Sequence, residues 1–396
     1  MIPLLDGIRI LEVGSVVLAP YAGQILADLG AEVIKIEPLD GDIARKAHPQ
    51  GPDGGALFVN NNRNKQTLAI DLKRPEGRAA MAKLIETGDV LLHNMRVDAA
   101  ERLGLGVDAV KAINARIIHC AAIGFGQRGR YRDRPAFDDI IQAASGMAGL
   151  ASHRGAPPQF VPTIVADKVA ALHVVYGILA ALFARARGRT EPIQVEVPMF
   201  ESMVAFLLNE HLSAATFASD GAAGYPRVLS ANRKPYATRD GWIAVLPYTG
   251  DQWRRFLREI GRDDISQQPW FLDERTRQKR IDELYALVGE HMLQRSTDEW
   301  LAALSACDIP CSRIATPADL LNDPHLSEIG FFDVPAGFPA STVRQLPQPV
   351  LFGGIAAEPD VPPRRVGADT RAILRGCGHD EAAIDALVAR GVVSQS

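Results

Sequence analysis

The stretch PTIVADKVAALHVVYGILAALFARARGR, residues 162–189, sets an acidic residue, Asp167, where a long apolar helix should begin. Two kinds of chemistry suit a carboxylate there. As an N-cap it accepts a hydrogen bond from a free N–H of the first turn and meets the positive end of the helix dipole. As a nucleophile facing a crevice it attacks an electrophilic carbonyl. The capping box is absent, because Ala170, not Glu or Gln, stands three positions on. Asp167 by itself leaves both readings open.

Other reactive side chains are less pointed. His173 lies on an apolar helix face and reads as a core histidine. GQRGRYRDRPAF holds four arginines, Arg128, Arg130, Arg132 and Arg134, which suit either a basic rim that draws in a polyanion or a solvated loop. Arg185, Arg187 and Arg189 complement a helix C-terminus. Cys120, Cys307, Cys311 and Cys377 are scattered, without the spacing of a zinc site. Ordinary thiols in a reducing cytoplasm, and no metal, are the expectation.

Several familiar signatures are missing. Gly14 and Gly23 in GSVVLAPYAG stand too far apart for the dinucleotide fingerprint, although Glu37 sits where a ribose-binding acid would. A nicotinamide-dependent dehydrogenase is therefore disfavoured. There is no G-x-S-x-G elbow, Walker loop or H-E-x-x-H. The net charge of −4 over 396 residues gives no electrostatic footprint for nucleic acid. MIPLLDGIRILEVG lacks the basic start and unbroken apolar run of a secretory signal. Charges interrupt the longest apolar run, so no membrane span is expected.

The elements that must position Asp167 are legible in outline. IRILEVG, AEVIKIE, DVLLHN and ARIIHCAAIG read as buried strands. Helical segments AGQILADLG, 76–87, 98–103 and 107–113 alternate with them, which predicts an α/β domain with a mostly parallel sheet. Its ligand crevice should lie at the carboxyl ends of the strands. After a Gly/Ala/Pro-rich linker at 219–228, KPYATRDGWIAVLPY reads as a hairpin turning at Asp240-Gly241. Helices at 251–261, 281–295 and 298–306 complete a smaller α+β domain. The expected division is a large domain over 1–224, a small one over 225–330, and a segment, 331–396, that returns to the large domain.

LADLGAEVIKIEPLDGD, NNNRNKQTLAIDLKRPEGR, PAFDDIIQAASG, VADKVAALH and IPCSRIATPADLLNDPHL occur in that order along nearly the whole chain. Together they resemble the family III CoA-transferases, of the CaiB/BaiF type that includes formyl-CoA and carnitine CoA-transferases. The resemblance implies a Rossmann-like large domain and an interlocked homodimer. It implies that Asp167 attacks an acyl-CoA thioester and then carries CoA as an aspartyl thioester until a carboxylic acid collects it. No cofactor beyond CoA, as a substrate, is implied. The carried-over CoA contacts are Val16, Val17 and Leu18 after the first strand and Pro38 after the second. Ile70, Asp71, Leu72 and Lys73 follow, then Asn94, Met95, Arg96 and Arg102, and last Pro135, Ala136, Phe137 and Asp138. Lys73, Arg96 and Arg102 are the phosphate candidates by charge.

This chain departs from the formyl-CoA transferases at two carried-over positions. They have Gln where Val17 stands and Arg where Pro38 stands, and their Gly-rich loop is replaced here by RVLSANRKPY. A formyl/oxalate reaction is therefore not expected. Ser230, Asn232 and Arg233 are candidates for an acceptor pocket or simply part of a polar linker. Two alternatives to transfer are a 2-methylacyl-CoA racemase and a non-catalytic acyl-CoA-binding protein. The family's racemases carry a proton-bearing His where this chain has Phe137, which speaks for transfer.

Overall fold

A computed structural model describes residues 1–51, 54–332 and 344–395 of the chain. The chain forms two compact units. The larger comprises Met1–Met147, Phe160–Phe206 and Gly330–Ser396; the smaller comprises Ala148–Gln159 and Leu207–Ile329. The smaller unit thus begins at Leu207, not at residue 225, and also takes in an earlier excursion.

The larger unit is mixed α/β. Its strands are β1 (Arg9–Val13), β2 (Glu32–Glu37), β3 (Lys65–Ile70), β4 (Val90–His93), β5 (Ile118–Ile123), β6 (Gln194–Pro198) and β10 (Val393–Ser394). They form one sheet in the order β10-β3-β2-β1-β4-β5-β6. All pairs are parallel except the β10–β3 edge. The chain runs outward from β1 through β2 to β3, then jumps back over β1 to β4. That reversal opens a crevice beyond the carboxyl ends of β1 and β4.

Burial on both faces makes these strands apolar runs. Ile10, Val33, Val90, Leu92 and Ile118 face one core; Leu11, Ile34, Leu68 and Leu91 face the other. The first core is closed by helices α1 (Leu18–Asp28) and α6 (Val165–Ala186). Helix α6 buries Ala166, Ala170, Ala171, Val174, Ile178 and Ala181, and the small alanines allow close approach to α1 and the sheet. It is long and apolar enough to cross a membrane by length and composition alone, and one face of it is buried in the first core. The second core is closed by α2 (Pro75–Thr87), α3 (Val97–Arg102), α4 (Val107–Ile113) and helices Thr370–Gly376 and Glu381–Ala389.

Between α1, β2 and β3, charge replaces the apolar core. Glu12, Lys35 and Lys65 are each fully buried within strands. Glu12 pairs in register with Lys35 across β1 and β2. Helix α1 has Gly23 over this spot, and a Cβ there would sit 1.9 Å from Glu12 Oε2.

The smaller unit holds a three-stranded antiparallel sheet, β7 (Tyr236–Ala237), β8 (Trp242–Val245) and β9 (Cys311–Arg313). Its core is built on Trp253, Tyr285 and Trp300. Thr249 and Ser296 close capping boxes on the helices Gly250–Glu259 and Thr297–Ala306. The hairpin at Asp240-Gly241 is present. The short helix Pro226–Leu229 lies in the segment expected as linker.

Gly23→Ala is expected to drive Glu12 from Lys65 and cost the fold roughly 3 kcal/mol or more, read by denaturant unfolding. Gly353→Ala, where a Cβ meets nothing within 4 Å, should be silent in the same assay.

Candidate active site

The site begins at the turn between β1 and α1, residues 14–17. Each of its first three residues is held by a side chain from another element. Lys35 Nζ donates to the Gly14 carbonyl at 2.9 Å. Asn94, just after β4, clamps Ser15 from both sides: its Oδ1 accepts from Ser15 N–H at 3.1 Å and its Nδ2 donates to Ser15 O at 2.9 Å. Asp42 accepts the Val16 N–H with both oxygens, at 3.2 and 3.3 Å. Val16 has φ +67, a left-handed backbone that costs a β-branched residue roughly 1–3 kcal/mol. Val17 is the N-cap residue of α1, and Leu18 opens that helix.

Beneath the turn runs a buried chain of alternating charge. Asp42 lies 3.0 Å from Lys35 Nζ, Lys35 is 3.1 Å from Glu12, and Glu12 is 2.7 Å from Lys65. Lys65 also donates to the Pro20 and Asn61 carbonyls and to Asn62 Oδ1. Burial pushes Asp42 up, but the Lys35 ammonium and the Ala44 and Val16 N–H groups outweigh it and hold the carboxyl below its usual range. Burial lowers Lys35, but Glu12, Asp42 and Glu37 outweigh it and raise it overall. Burial dominates at Lys65 and takes it down to about 8.

Asp167 faces this turn. It is the third residue of α6, not the cap: Ile164 holds the cap position and its side chain makes no bond there. The capping oxygen comes from Asp138, at the start of α5 (Asp138–Ala144). Asp138 Oδ1 accepts from Ala166 N–H at 2.7 Å and Asp167 N–H at 3.1 Å. Its Oδ2 accepts from Gln142 Nε2 at 2.7 Å, and Gln142 Oε1 accepts from Val161 N–H at 2.8 Å. The Asp167 carboxylate is thereby left for other work. The Leu18 N–H at the start of α1 lies close enough to favour its charged form. Burial, then the charge of Asp138, raises it from 3.8 to about 6, against the lowering by Leu18 N–H. The result is a carboxylate more basic than usual that is still ionised at neutral pH.

Two cavities adjoin the crevice. One of about 400 Å³ is an apolar slot of Val13, Ile36, Pro38, Leu39, Ile70, Leu72, Met95 and Leu103, with Asp71, Lys73 and Glu37 among its walls. It offers flat apolar surface beside one ammonium, as an aromatic ring bearing a phosphate requires. The second, of about 210 Å³, is polar: Asn94, Arg96, Gln127, Arg132 and Arg134 line it with Pro135, Ala136 and Phe137. Met95 lines both, so they adjoin.

Most of the residues singled out by sequence therefore meet around this crevice. Arg102 does not: it is spent on Asp98 at 2.8 Å within α3 and lines neither cavity. Within the smaller unit, Ser230 and Asn232 both donate to Asp282, so they brace a loop. His173 Nδ1 donates to the Val169 carbonyl at 2.8 Å, as a core histidine does. Asp42 and its charge chain went unnoticed in the sequence. The available signal was a charged residue inside each of two apolar strands, ILEV and VIKI.

The sequence model of CoA-transferase family III matches residues 5–370. A similar curated protein is (R)-2-hydroxy-4-methylpentanoate CoA-transferase of Clostridioides difficile, 29% identical over 96% of this chain and 97% of that one. Another is succinyl-CoA–D-citramalate CoA-transferase of Chloroflexus aurantiacus, 31% identical over 84% of this chain and 85% of that one. Among solved structures, a CAIB/BAIF family protein from Brucella suis superposes with a TM-score of 0.80 at 27% identity, covering 95% of this chain and 100% of the other.

Ionised Asp167 should weaken the fold. Its folded pKa lies above the unfolded one, so the cost is absent below about pH 4 and complete above about pH 6. Each tenfold in acidity is 1.36 kcal/mol; discounted for partial exposure, the cost is roughly 1–2 kcal/mol at neutral pH. Asp167→Asn is therefore expected to melt about 2–4 °C above the wild type at pH 7.5. The gain should vanish near pH 4; equal melting at both values would refute this charge balance.

Proposed function

The chain belongs to CoA-transferase family III, and from that premise we propose that it moves CoA from an acyl-CoA to a small carboxylic acid through a thioester on Asp167. It is an enzyme of the CoA-transferase type, and its relatives are named for a range of acids. One observation carries the mechanism: Asp138 takes the N–H groups of Ala166 and Asp167 at the start of α6, which frees the Asp167 carboxylate from capping, and burial raises that carboxylate to about 6.

In the scheme an Asp167 oxygen attacks the thioester carbonyl. The C–S bond breaks and CoA leaves as a thiolate, whose pKa of roughly 8.5 removes the need for a proton donor. A mixed anhydride remains. The thiolate attacks its aspartyl carbonyl, the donor acid leaves as a carboxylate, and CoA is now esterified to Asp167. The acceptor carboxylate attacks this thioester and displaces the thiolate. The thiolate then attacks the acceptor's acyl carbon, and Asp167 is released as a carboxylate. Charge is conserved throughout, so positioning and N–H donors supply the catalysis. The elevated basicity of Asp167 strengthens its attack.

The apolar slot and Lys73 suit the nucleotide end of CoA, and Arg96, Arg132 and Arg134 suit its phosphates. Two further readings come with the proposal. The chain acts in the cytoplasm, in keeping with four free thiols. It works as an interlocked homodimer. Leu172, Tyr176 and Phe183, exposed by 52%, 59% and 67%, form one apolar stripe along α6 that a second copy would cover.

Asp167→Ala and Asp167→Asn are expected to retain acyl-CoA binding and lose at least about a thousandfold in kcat. The wild type incubated with acyl-CoA alone should show a CoA adduct on the Asp167 peptide by mass spectrometry. Full activity in the alanine variant would end the scheme. Racemisation predicts a different outcome, since it needs two proton-exchanging groups across the α-carbon. Phe137, 74% exposed before α5, carries no proton. With (2R)-2-methylacyl-CoA in deuterium oxide, NMR should show no catalytic wash-in at the α-position; wash-in with loss of configuration would favour the racemase.

A further inference from the structure

The turn that precedes Leu18 cannot be held by its own sequence. Valine is among the residues least suited to φ +67, where glycine sits without strain. Two residues after Val16, Leu18 opens α1, which packs on α6 and shares a core with Ala166, the neighbour of Asp167. A relaxed Val16 would shift the first turn of α1 away from that carboxylate. Whatever enforces the left-handed turn therefore sets the aim of the site.

We propose that Asp42 is a positioning residue for CoA transfer: by taking the Val16 N–H on its carboxylate it enforces the left-handed turn that sets the start of α1, packed on α6, beside Asp167. The inference rests on the transfer reading of Asp167. Asp42 lines neither of the two cavities described above but a third, of about 440 Å³, with Gly14, Ser15 and Pro38, and it acts on the turn through the backbone. It is only 2% exposed, and its own position is fixed. Its N–H donates to Glu37 at 2.9 Å, its Oδ1 also accepts from Ala44 N–H at 2.9 Å, and Lys35 lies 3.0 Å away. Lys35 is anchored in turn on Glu12 and on Gly14 O in the same turn.

A buried ion chain is weak evidence for stability, since well-packed apolar residues serve as well or better. Here the chain has a target. Two of its members, Lys35 and Asp42, bond the turn at Gly14 and Val16. Asn94 takes Ser15 between them. A charged acceptor holds an N–H more strongly than a neutral one, which is what a strained residue requires.

The test is a coupling measurement on the full chain. Wild type, Asp42→Asn, Val16→Gly and the double variant are mixed with acetyl-CoA or succinyl-CoA, and the rate of adduct formation on Asp167 is followed by mass spectrometry. Asp42→Asn should slow adduct formation at least tenfold in the wild-type background, with the KM for acyl-CoA changed less than threefold. In a chain already carrying Val16→Gly, the same change should cost less than threefold, whatever Val16→Gly does by itself. An equal loss in both backgrounds, or none in either, overturns the inference. An Asp42→Asn chain that folds only when Val16→Gly is added supports it; one that fails to fold in both backgrounds overturns it, because Asp42 then serves the fold and not the turn. A missing adduct in the wild type overturns the transfer reading, and this inference with it. An adduct in the wild type with unchanged rates in the variants removes the inference alone.

Discussion

The structure turns on two lysines and two carboxylates that are buried together. Lys65, Glu12, Lys35 and Asp42 alternate in sign, so the set is neutral although every member is buried. Desolvation costs several kcal/mol per ion, and only close pairing with further hydrogen bonds recovers it. The surroundings are shaped to permit that pairing. Gly23 leaves room for the Glu12 carboxylate under α1. The Pro20 and Asn61 carbonyls and the Asn62 side chain accept the three protons of Lys65, while Glu12 meets it as an ion pair. Removing any one partner strands a charge, so the network fixes the mutual positions of β1, β2, β3 and α1 more tightly than an apolar contact, which is non-directional.

Two helix starts meet at Asp167. Helix α6 carries it on its first turn, and the N–H of Leu18 at the start of α1 favours its charge. Both helix dipoles favour a negative charge there. Burial and the neighbouring Asp138 oppose it, and they win. The balance matters because a carboxylate drawn down by its donors would be a poorer nucleophile. Asp138 does two things at once: it takes the capping duty that would have occupied Asp167, and it raises Asp167 by its charge. A neutral cap would do only the first.

Much of the frame was legible because parallel strands buried on both faces leave a simple apolar signature. β1, β2, β4 and β5 stand out in that way, and α6 by its length. β3 did not, because it opens on three polar residues, Lys65, Gln66 and Thr67, of which Lys65 enters the buried ion chain. The two-residue β10 is defined by its pairing with β3, more than 300 residues upstream, and by nothing local. Asp167 could be marked as a carboxylate at a helix start, but its freedom from capping could not, since the cap lies 29 positions earlier on another helix. The left-handed Val16 was hidden for the opposite reason. Local propensity argues against that conformation, and only tertiary bonds impose it.

That last point bears on how the site is divided between cost and support. A left-handed valine and an ionised half-buried aspartate are both unfavourable in isolation, and they sit at the starts of two packed helices, α1 and α6. Neither is relieved locally. The compensation lies in the sheet and its two cores, where parallel strands and α6 bury most of the apolar surface of the larger unit. In the proposed transfer scheme a carboxylate exposed to a thioester gains from this arrangement. The turn at Gly14 and Ser15 is held by Lys35, inside β2, and by Asn94, just after β4, so its geometry depends on the sheet and not on the substrate to assemble it.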